Sequence, residues 1–217
     1  MIEAVVFDFD GVIANTPEYY FRHMRAYLKR IHAGITDEEV SELVGKSFSE
    51  KLAYINEKYS LAIDLAEFVE SVSVPAREEM RLKMEPDGGM KRLLREIESA
   101  KLPCAIATTN VRNNVDFVLE KFGLKNFFSV IVTVEDVGKY KPSPDVYIRA
   151  VKLLGKNAEN CVAVEDTMIG VSAAKRAGLK AIALPGVFTS MHDFSEADLV
   201  VKSFKELNLR RMEALFA

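Results

Sequence analysis

The order of hydrophobic and polar positions predicts the architecture of this chain. Short apolar runs, typical of strands buried on both faces, occur at 2–7, 101–108, 129–134, 161–165 and 179–184. After the second, third and fourth runs, apolar residues recur at helical spacing, which predicts helices at 111–122, 143–154 and 167–178. This alternation predicts an α/β fold, a Rossmann-like parallel sheet with helices on both faces.

Residues 15–83 interrupt the alternation with helical patterns alone. Thr16-Pro17 predicts a helix start, with threonine as the N-cap and proline at the first position. Thr36 to Glu39 and Ser47 to Glu50 match the capping box, and a further helical pattern runs over 64–81. We therefore expect a core domain of residues 1–14 and 84–217 with an all-helical domain, 15–83, inserted in it.

Polar residues follow the predicted strands at their carboxyl ends, where open parallel sheets bind ligands. We expect these residues to gather in space: Asp8 and Asp10 after the first strand, Thr108, Thr109 and Asn110 after the second, Lys139 and Lys141 in the loop after the third, and Glu165 and Asp166 after the fourth.

Each of these groups also has a purely structural interpretation. Asp8 to Gly11 could form a turn, Thr108 to Asn110 and Asp166-Thr167 could cap helices, and Lys141 could be an ordinary surface lysine. Taken together, at the ends of successive parallel strands, they favour a functional site.

Composition narrows the class of ligand. The 217 residues carry a net charge of -3, which argues against nucleic acid or an anionic membrane as a partner. No apolar run reaches membrane-spanning length and no basic leader precedes the first strand, so we expect a cytoplasmic protein. The cluster contains no histidine, which leaves a serine-type triad and a histidine-rich zinc site unsupported.

A cluster of carboxylates suits Mg²⁺, which is usually held by one or two carboxylates and a substrate phosphate. A carboxylate facing a phosphomonoester can attack phosphorus while a second one protonates the leaving oxygen. By number and spacing, Asp8 and Asp10 fit these two roles. Side chains that can hold the phosphoryl oxygens are Thr108, Thr109, Asn110 and Lys141.

These residues resemble four motifs of the haloacid dehalogenase superfamily, in the superfamily's order. The motifs are Asp8-Phe9-Asp10-Gly11-Val12, the strand Ala105-Ile106-Ala107-Thr108, Lys141-Pro142, and Val164-Glu165-Asp166. Aspartate at position 10 resembles the phosphatase and phosphomutase branch. The resemblance implies that Asp8, the main-chain carbonyl of Asp10 and Asp166 hold Mg²⁺, with Glu165 supporting its waters.

The helical insert resembles the mobile cap of the β-phosphoglucomutase and phosphoglycolate phosphatase group, which implies a role in substrate specificity. β-Phosphoglucomutases carry a histidine where this chain has Tyr20 and a cap-loop arginine where it has Lys46-Ser47-Phe48. Because His23 or Lys46 could substitute, the candidate specificity residues are Tyr20, His23, Lys46 and Phe48.

The leading hypothesis is a Mg²⁺-dependent phosphatase that hydrolyses a small phosphorylated metabolite through an aspartyl-phosphate. The alternative within the family is an intramolecular phosphotransferase of the β-phosphoglucomutase kind. A rival from another class is a phospho-acceptor signalling domain, which the helical insert disfavours. The sequence indicates neither the substrate nor the oligomeric state.

Overall fold

The computed structural model of the chain describes residues 1–216. The chain divides into two compact units, one formed by Met1–Ala14 with the chain from Glu85 onward and the other by Asn15–Met84. Among the described helices, none is long and apolar enough to cross a membrane.

The larger unit is built on a six-stranded sheet in which every neighbouring pair of strands is parallel. The strands are β1 (Ala4–Phe7), β2 (Cys104–Ala107), β3 (Val130–Val132), β4 (Cys161–Glu165), β5 (Lys180–Ala183) and β6 (Leu199–Val200). Their order across the sheet is β3-β2-β1-β4-β5-β6, which places β1 at the centre between β2 and β4. The predicted fold class is therefore confirmed.

The two faces of the sheet differ in side-chain size because successive strand residues point to opposite faces. One face is mostly alanine, including Ala105, Ala163 and Ala181, and forms a single buried cluster with apolar residues of two helices. The other face carries larger buried residues such as Phe7 and Ile182. Small side chains on the first face let its helices pack close to the strands.

The helical unit contains five α-helices. They are α1 (Thr16–Arg30), α2 (Asp37–Leu43), α3 (Phe48–Tyr59), α4 (Leu65–Phe68) and α5 (Val74–Lys83). Capping boxes begin α2 at Thr36 and α3 at Ser47, as predicted. A π-helical turn, Val69–Ser73, joins α4 to α5, so the helix predicted over 64–81 changes hydrogen-bonding pattern within its length.

Six further α-helices belong to the larger unit, as far as residue 216. They are α6 (Gly88–Ser99), α7 (Arg112–Phe122), α8 (Val134–Val137), α9 (Asp145–Leu154), α10 (Met168–Arg176) and α11 (Leu209–Glu213). Helices α9 and α10 supply the apolar residues that cover the alanine-rich face.

Several boundaries differ from the predicted ones for local reasons. Helix α1 has Asn15 rather than Thr16 at its N-cap position. The strand predicted at 129–134 stops at Val132, because the main-chain N–H of Thr133 donates to Asp136 at 2.7 Å where α8 begins. The strand predicted at 101–108 starts only at Cys104, since Lys101 has a φ of 56° and lies in a turn.

Candidate active site

Asp8 and Thr108 directly follow two neighbouring strands, and main-chain hydrogen bonds hold them in line with the sheet. The N–H of Asp8 donates to the carbonyl of Val164 at 2.9 Å, and that of Thr108 donates to Val132 at 3.0 Å. Both residues are buried. The carboxyl edge of the sheet therefore presents an acidic and a hydroxyl side chain in fixed positions.

Lys141 joins this edge from the loop that precedes α9. Its ammonium donates to Oδ1 of Asp8 at 2.5 Å, to Oε1 of Glu165 at 2.5 Å and to the carbonyl of Ala107 at 2.9 Å. The residue is only 8% exposed, so Lys141 is not an ordinary surface lysine. Lys139, by contrast, is exposed and pairs with Asp145.

Both oxygens of Glu165 accept hydrogen bonds. Oε1 receives Lys141 and the hydroxyl of Tyr147, each at 2.5 Å. Oε2 receives the N–H of Asp166 at 3.2 Å and the hydroxyl of Thr167 at 3.4 Å. Glu165 is 1% exposed, and these four donors compensate its burial.

Gly11 allows the chain to turn tightly beside the last acidic residue of the cluster. It has a φ of +83°, and a Cβ at this position would lie 2.0 Å from Oδ2 of Asp166. The N–H of Gly11 donates to the carbonyl of Ala14 at 2.7 Å, which closes the turn. Any side chain at position 11 would be strained and would displace the Asp166 carboxylate.

Three buried carboxylates converge at this edge. Within the described chain, ligand oxygens of Asp8, Glu165 and Asp166 lie within 4.8 Å of one another. Burial is the largest influence on the pKa of Asp8 and raises it to about 8. The positive charge of Lys141 is the next largest influence and acts in the opposite direction. Burial and then Asp8 raise the pKa of Asp166 well above its ordinary value. The single positive charge of Lys141 is therefore too small to balance the three carboxylates when they are ionised.

Lys141 itself stays protonated. Burial lowers the pKa of its ammonium, but the neighbouring charges of Asp8 and Glu165 outweigh that effect and raise the pKa above its usual value. The cluster thus contains one fixed cation that bridges two carboxylates, an arrangement suited to holding an anionic group beside Asp8.

The carboxylate of Asp10 contacts a side-chain amide. The side-chain nitrogen of Asn110 lies 3.0 Å from both carboxylate oxygens of Asp10. The amide oxygen of Asn110 accepts from the N–H of Val111 at 2.7 Å and from the side chain of Asn114 at 2.9 Å. Asn110, predicted as a phosphate ligand, is thus directed at Asp10 in this structure.

The hydroxyl of Thr108 accepts the N–H of Asn110 at 3.0 Å, as in the structural interpretation of these residues. A hydroxyl that accepts one hydrogen bond can still donate its own proton, so Thr108 remains suited to a phosphoryl oxygen. Thr109, which lies between Thr108 and Asn110 in the sequence, is half-buried.

The candidate specificity residues of the helical unit separate into different environments. The rings of Tyr20 and Phe48 pack edge to face with centroids 5.3 Å apart. The Nε2 atom of His23 lies 2.9 Å from the Glu79 carboxylate, and the His23 side chain is partly buried. Lys46 is exposed. The ammonium nitrogen of Lys51, a residue that was not predicted, lies 5.3 Å from the ring centre of Phe48.

Tyr147 and Gly170 were not predicted as members of the site. Tyr147 occupies the buried stripe of α9, where a tyrosine is taken for core, although a buried hydroxyl requires a partner. A Cβ on Gly170 would lie 2.1 Å from the carboxyl carbon of Glu165. A glycine five residues after a buried glutamate was the available signal for this close approach.

A comparison with protein-family models agrees with the motifs found along the carboxyl edge of the sheet. The family model for haloacid dehalogenase-like hydrolases matches residues 5–184. The chain belongs to this family. Membership confirms the predicted family and enzyme class, and it decides against a phospho-acceptor signalling domain.

Other members of the haloacid dehalogenase family resemble the chain over most of its length. It is 33% identical to the bifunctional riboflavin kinase/FMN phosphatase of Arabidopsis thaliana over 95% of its residues, but spans only 55% of that protein. It is also 33% identical to protein CbbY of Cereibacter sphaeroides, covering 95% of this chain and 94% of CbbY. The crystal structure of CbbY from Rhodobacter sphaeroides in complex with phosphate superposes with a TM-score of 0.84 at 29% identity, covering 98% of this chain and all of that one.

Proposed function

We propose that this protein is a Mg²⁺-dependent phosphatase that hydrolyses a small phosphorylated metabolite through an aspartyl-phosphate on Asp8. The observation that carries the proposal is the buried pair of Asp8 and Lys141, whose ammonium and carboxylate oxygen are 2.5 Å apart. Lys141 can bind a phosphoryl oxygen at the position where Asp8 can reach phosphorus. One relative is named an FMN phosphatase and another was solved with phosphate, which supports the same substrate class.

In the first step, a carboxylate oxygen of Asp8 attacks phosphorus. The new bond joins Asp8 to the phosphoryl group, and the ester P–O bond breaks as the leaving oxygen takes a proton from the carboxyl group of Asp10. Lys141 and Thr108 hold the phosphoryl oxygens during transfer. Asn110 orients Asp10 in this proposal, because its amide contacts both Asp10 oxygens.

In the second step, the Asp10 carboxylate removes a proton from water, and the resulting nucleophile attacks the phosphoryl phosphorus. The bond between phosphorus and Asp8 breaks, which releases inorganic phosphate and restores the Asp8 carboxylate. Asp10 again carries the proton that the next turnover requires.

The acidic cluster fits a divalent cation. Its donors are hard carboxylate oxygens, and one ammonium leaves a charge excess when the three carboxylates ionise. We propose that Asp8, the main-chain carbonyl of Asp10 and Asp166 hold Mg²⁺, with Glu165 supporting its water ligands. When bound, Mg²⁺ supplies positive charge that attracts the substrate phosphate and favours ionised Asp8.

We further propose that the helical unit, Asn15–Met84, acts as a cap domain that selects the substrate. Its resemblance to the caps of related phosphatases supports this role. The Tyr20–Phe48 pair and the nearby Lys51 offer aromatic surface and one positive charge for the non-phosphate part of the metabolite.

Phosphatase activity is favoured over β-phosphoglucomutase activity because Tyr20 stands where the mutases carry a histidine. The discriminating experiment offers β-glucose 1-phosphate with Mg²⁺ and analyses the products. Glucose and phosphate support a phosphatase, whereas glucose 6-phosphate supports the mutase. A broader screen of sugar phosphates, short acid phosphates and nucleotides, with the Asp8→Asn variant as the blank, tests the phosphatase proposal itself.

A further inference from the structure

Tyr147 of α9 is the largest side chain in the buried cluster that covers the alanine-rich face, and its hydroxyl points at the charged cluster. The residue is fully buried, and its O–H donates to Oε1 of Glu165 at 2.5 Å. The Lys141 ammonium lies 3.3 Å from the same hydroxyl oxygen and 4.8 Å from the centre of the ring. Tyr147 therefore contacts both members of the Lys141–Glu165 pair.

The Lys141 ammonium has more oxygen neighbours than it has protons to donate. An ammonium group has three protons, while four oxygens lie within hydrogen-bond distance of its nitrogen. The Tyr147 oxygen is the most distant of the four. The hydroxyl proton of Tyr147 is donated to Oε1 of Glu165, and the Lys141 ammonium donates to the same Oε1 atom. Tyr147 and Lys141 thus share Oε1 of Glu165.

This sharing affects the position of the ammonium relative to Asp8. If Oε1 lost the Tyr147 proton, Lys141 would be the remaining donor to that oxygen and would be drawn more strongly towards Glu165. On the side of α10, Glu165 has little room to move, because a Cβ on Gly170 would lie only 2.1 Å from its carboxyl carbon. The ammonium would therefore shift away from Asp8.

We propose that Tyr147 is a positioning residue that, by sharing Glu165 with Lys141, holds the Lys141 ammonium on Asp8. This inference rests on the proposed function for its effect on turnover, but the position of Lys141 is a property of the folded protein alone. Tyr147 contacts no reacting atom in the proposal and acts through Lys141.

Tyr147→Phe removes the hydroxyl and keeps the ring beneath the ammonium. Tyr27→Phe is the matched control, since Tyr27 is also buried and donates to a glutamate, Glu67, at 2.7 Å in the helical unit. Both variants lose one tyrosine–glutamate hydrogen bond, which is buried at Tyr147 and part-buried at Tyr27. Only Tyr147→Phe is expected to lower kcat, by about tenfold, with KM changed less than about twofold.

The direct readout is the NMR signal of the Lys141 ammonium in the substrate-free protein, assigned with Lys141→Arg. The expected result is a shift of this signal in Tyr147→Phe and none in Tyr27→Phe. An unchanged Lys141 signal in Tyr147→Phe would overturn the positioning role, whatever the kinetics. A shifted signal supports it even if no phosphoester is hydrolysed, an outcome that would refute the proposed function alone.

A double-mutant cycle with Glu165→Gln supplies the kinetic counterpart. Because Tyr147 is proposed to act through Glu165 and Lys141, its substitution is expected to have less effect in the Glu165→Gln background than in the wild type. Equal fold-losses of kcat in both backgrounds would contradict the mechanism.

Discussion

Gly170 lies against Glu165 so closely that a methyl group on residue 170 would lie 2.1 Å from the carboxyl carbon of the glutamate. Glycine is the third residue of α10, and its N–H donates to the Thr167 hydroxyl at 3.1 Å. Helix α10 therefore begins directly against the carboxyl group that anchors Lys141. The contact explains a glycine at a helical position where alanine would otherwise be favoured.

Gly170→Ala is expected to destabilise the protein by about 1–3 kcal/mol, the range typical of overpacking, and to lower kcat because Glu165 is displaced. Urea unfolding and steady-state kinetics measure the two effects. Gly88→Ala is the control, since Gly88 begins α6 and a Cβ there would meet nothing within 4 Å. An equally stable and equally active Gly170→Ala variant would show that Glu165 tolerates displacement.

Asn110→Ala is expected to lower kcat by about tenfold, because Asp10 loses the amide that contacts both its oxygens. Asn114→Ala removes only the outer bond to the amide oxygen of Asn110, so its effect should be smaller. Rapid-quench kinetics separate the two proposed steps. Wild-type turnover in Asn110→Ala would mean that Asp10 does not need the Asn110 amide for its orientation.

Stability of the metal-free protein should depend on the ionisation of Asp8. Its pKa is raised from 3.8 to about 8 in the fold, chiefly by burial. The folded chain therefore retains a proton that the unfolded chain loses, and the stability from this group falls as pH rises between about 4 and 8. Urea midpoints of the wild type should decline over this window relative to Asp8→Asn, and parallel curves would contradict the assignment.

Binding of Mg²⁺ should release protons for the same reason. At pH 7, we expect at least one proton to leave the cluster per cation bound, because the pKa values of both Asp8 and Asp166 are raised in the fold. Titration calorimetry in buffers of different ionisation enthalpy counts these protons. A binding enthalpy that is independent of buffer would show that the carboxyl groups are already ionised.

The helical unit offers a pH prediction independent of catalysis. Hydrogen bonds from Lys58, from the Thr36 N–H and from Tyr54 lower the pKa of Glu39 to about 2. The resulting stability is present above pH 4.5 and is lost as pH falls towards 2. Glu39→Gln should be about 1 kcal/mol less stable at pH 7, and the difference should disappear in that acidic window. The exposed neighbour Glu38, changed to glutamine, is the control in the same urea measurement.

Sequence patterns predicted those strands and helices whose own residues form a clear apolar run or a periodic apolar pattern. The run at 161–165 matched β4 residue for residue, because apolar side chains fill both faces and Glu165 ends the strand. Strand β6 was missed because two residues, Leu199 and Val200, are too few for a periodic pattern. Helix α6 was missed although Asp87 caps it by accepting the N–H of Met90 at 2.9 Å.

The candidate site was predictable to the level of which side chains meet. Asp8, Lys141 and Glu165 were expected at one edge of the sheet, and the structure joins all three through hydrogen bonds. The partner of Asn110 depends on the direction of its side chain, which spacing cannot specify. Tyr147 shares the spacing of its apolar neighbours, so periodicity alone could not distinguish its hydroxyl from core.

The central claim is that Asp8 carries the phosphoryl group during turnover. Acid quenching during steady-state hydrolysis, followed by mass spectrometry of the digested protein, tests it most directly. We predict a phosphoryl group on the peptide that contains Asp8, absent from Asp8→Asn, together with a loss of turnover of at least about a thousandfold in that variant. Phosphate release at an undiminished rate by folded Asp8→Asn, with no phosphorylated peptide in the wild type, would contradict the claim.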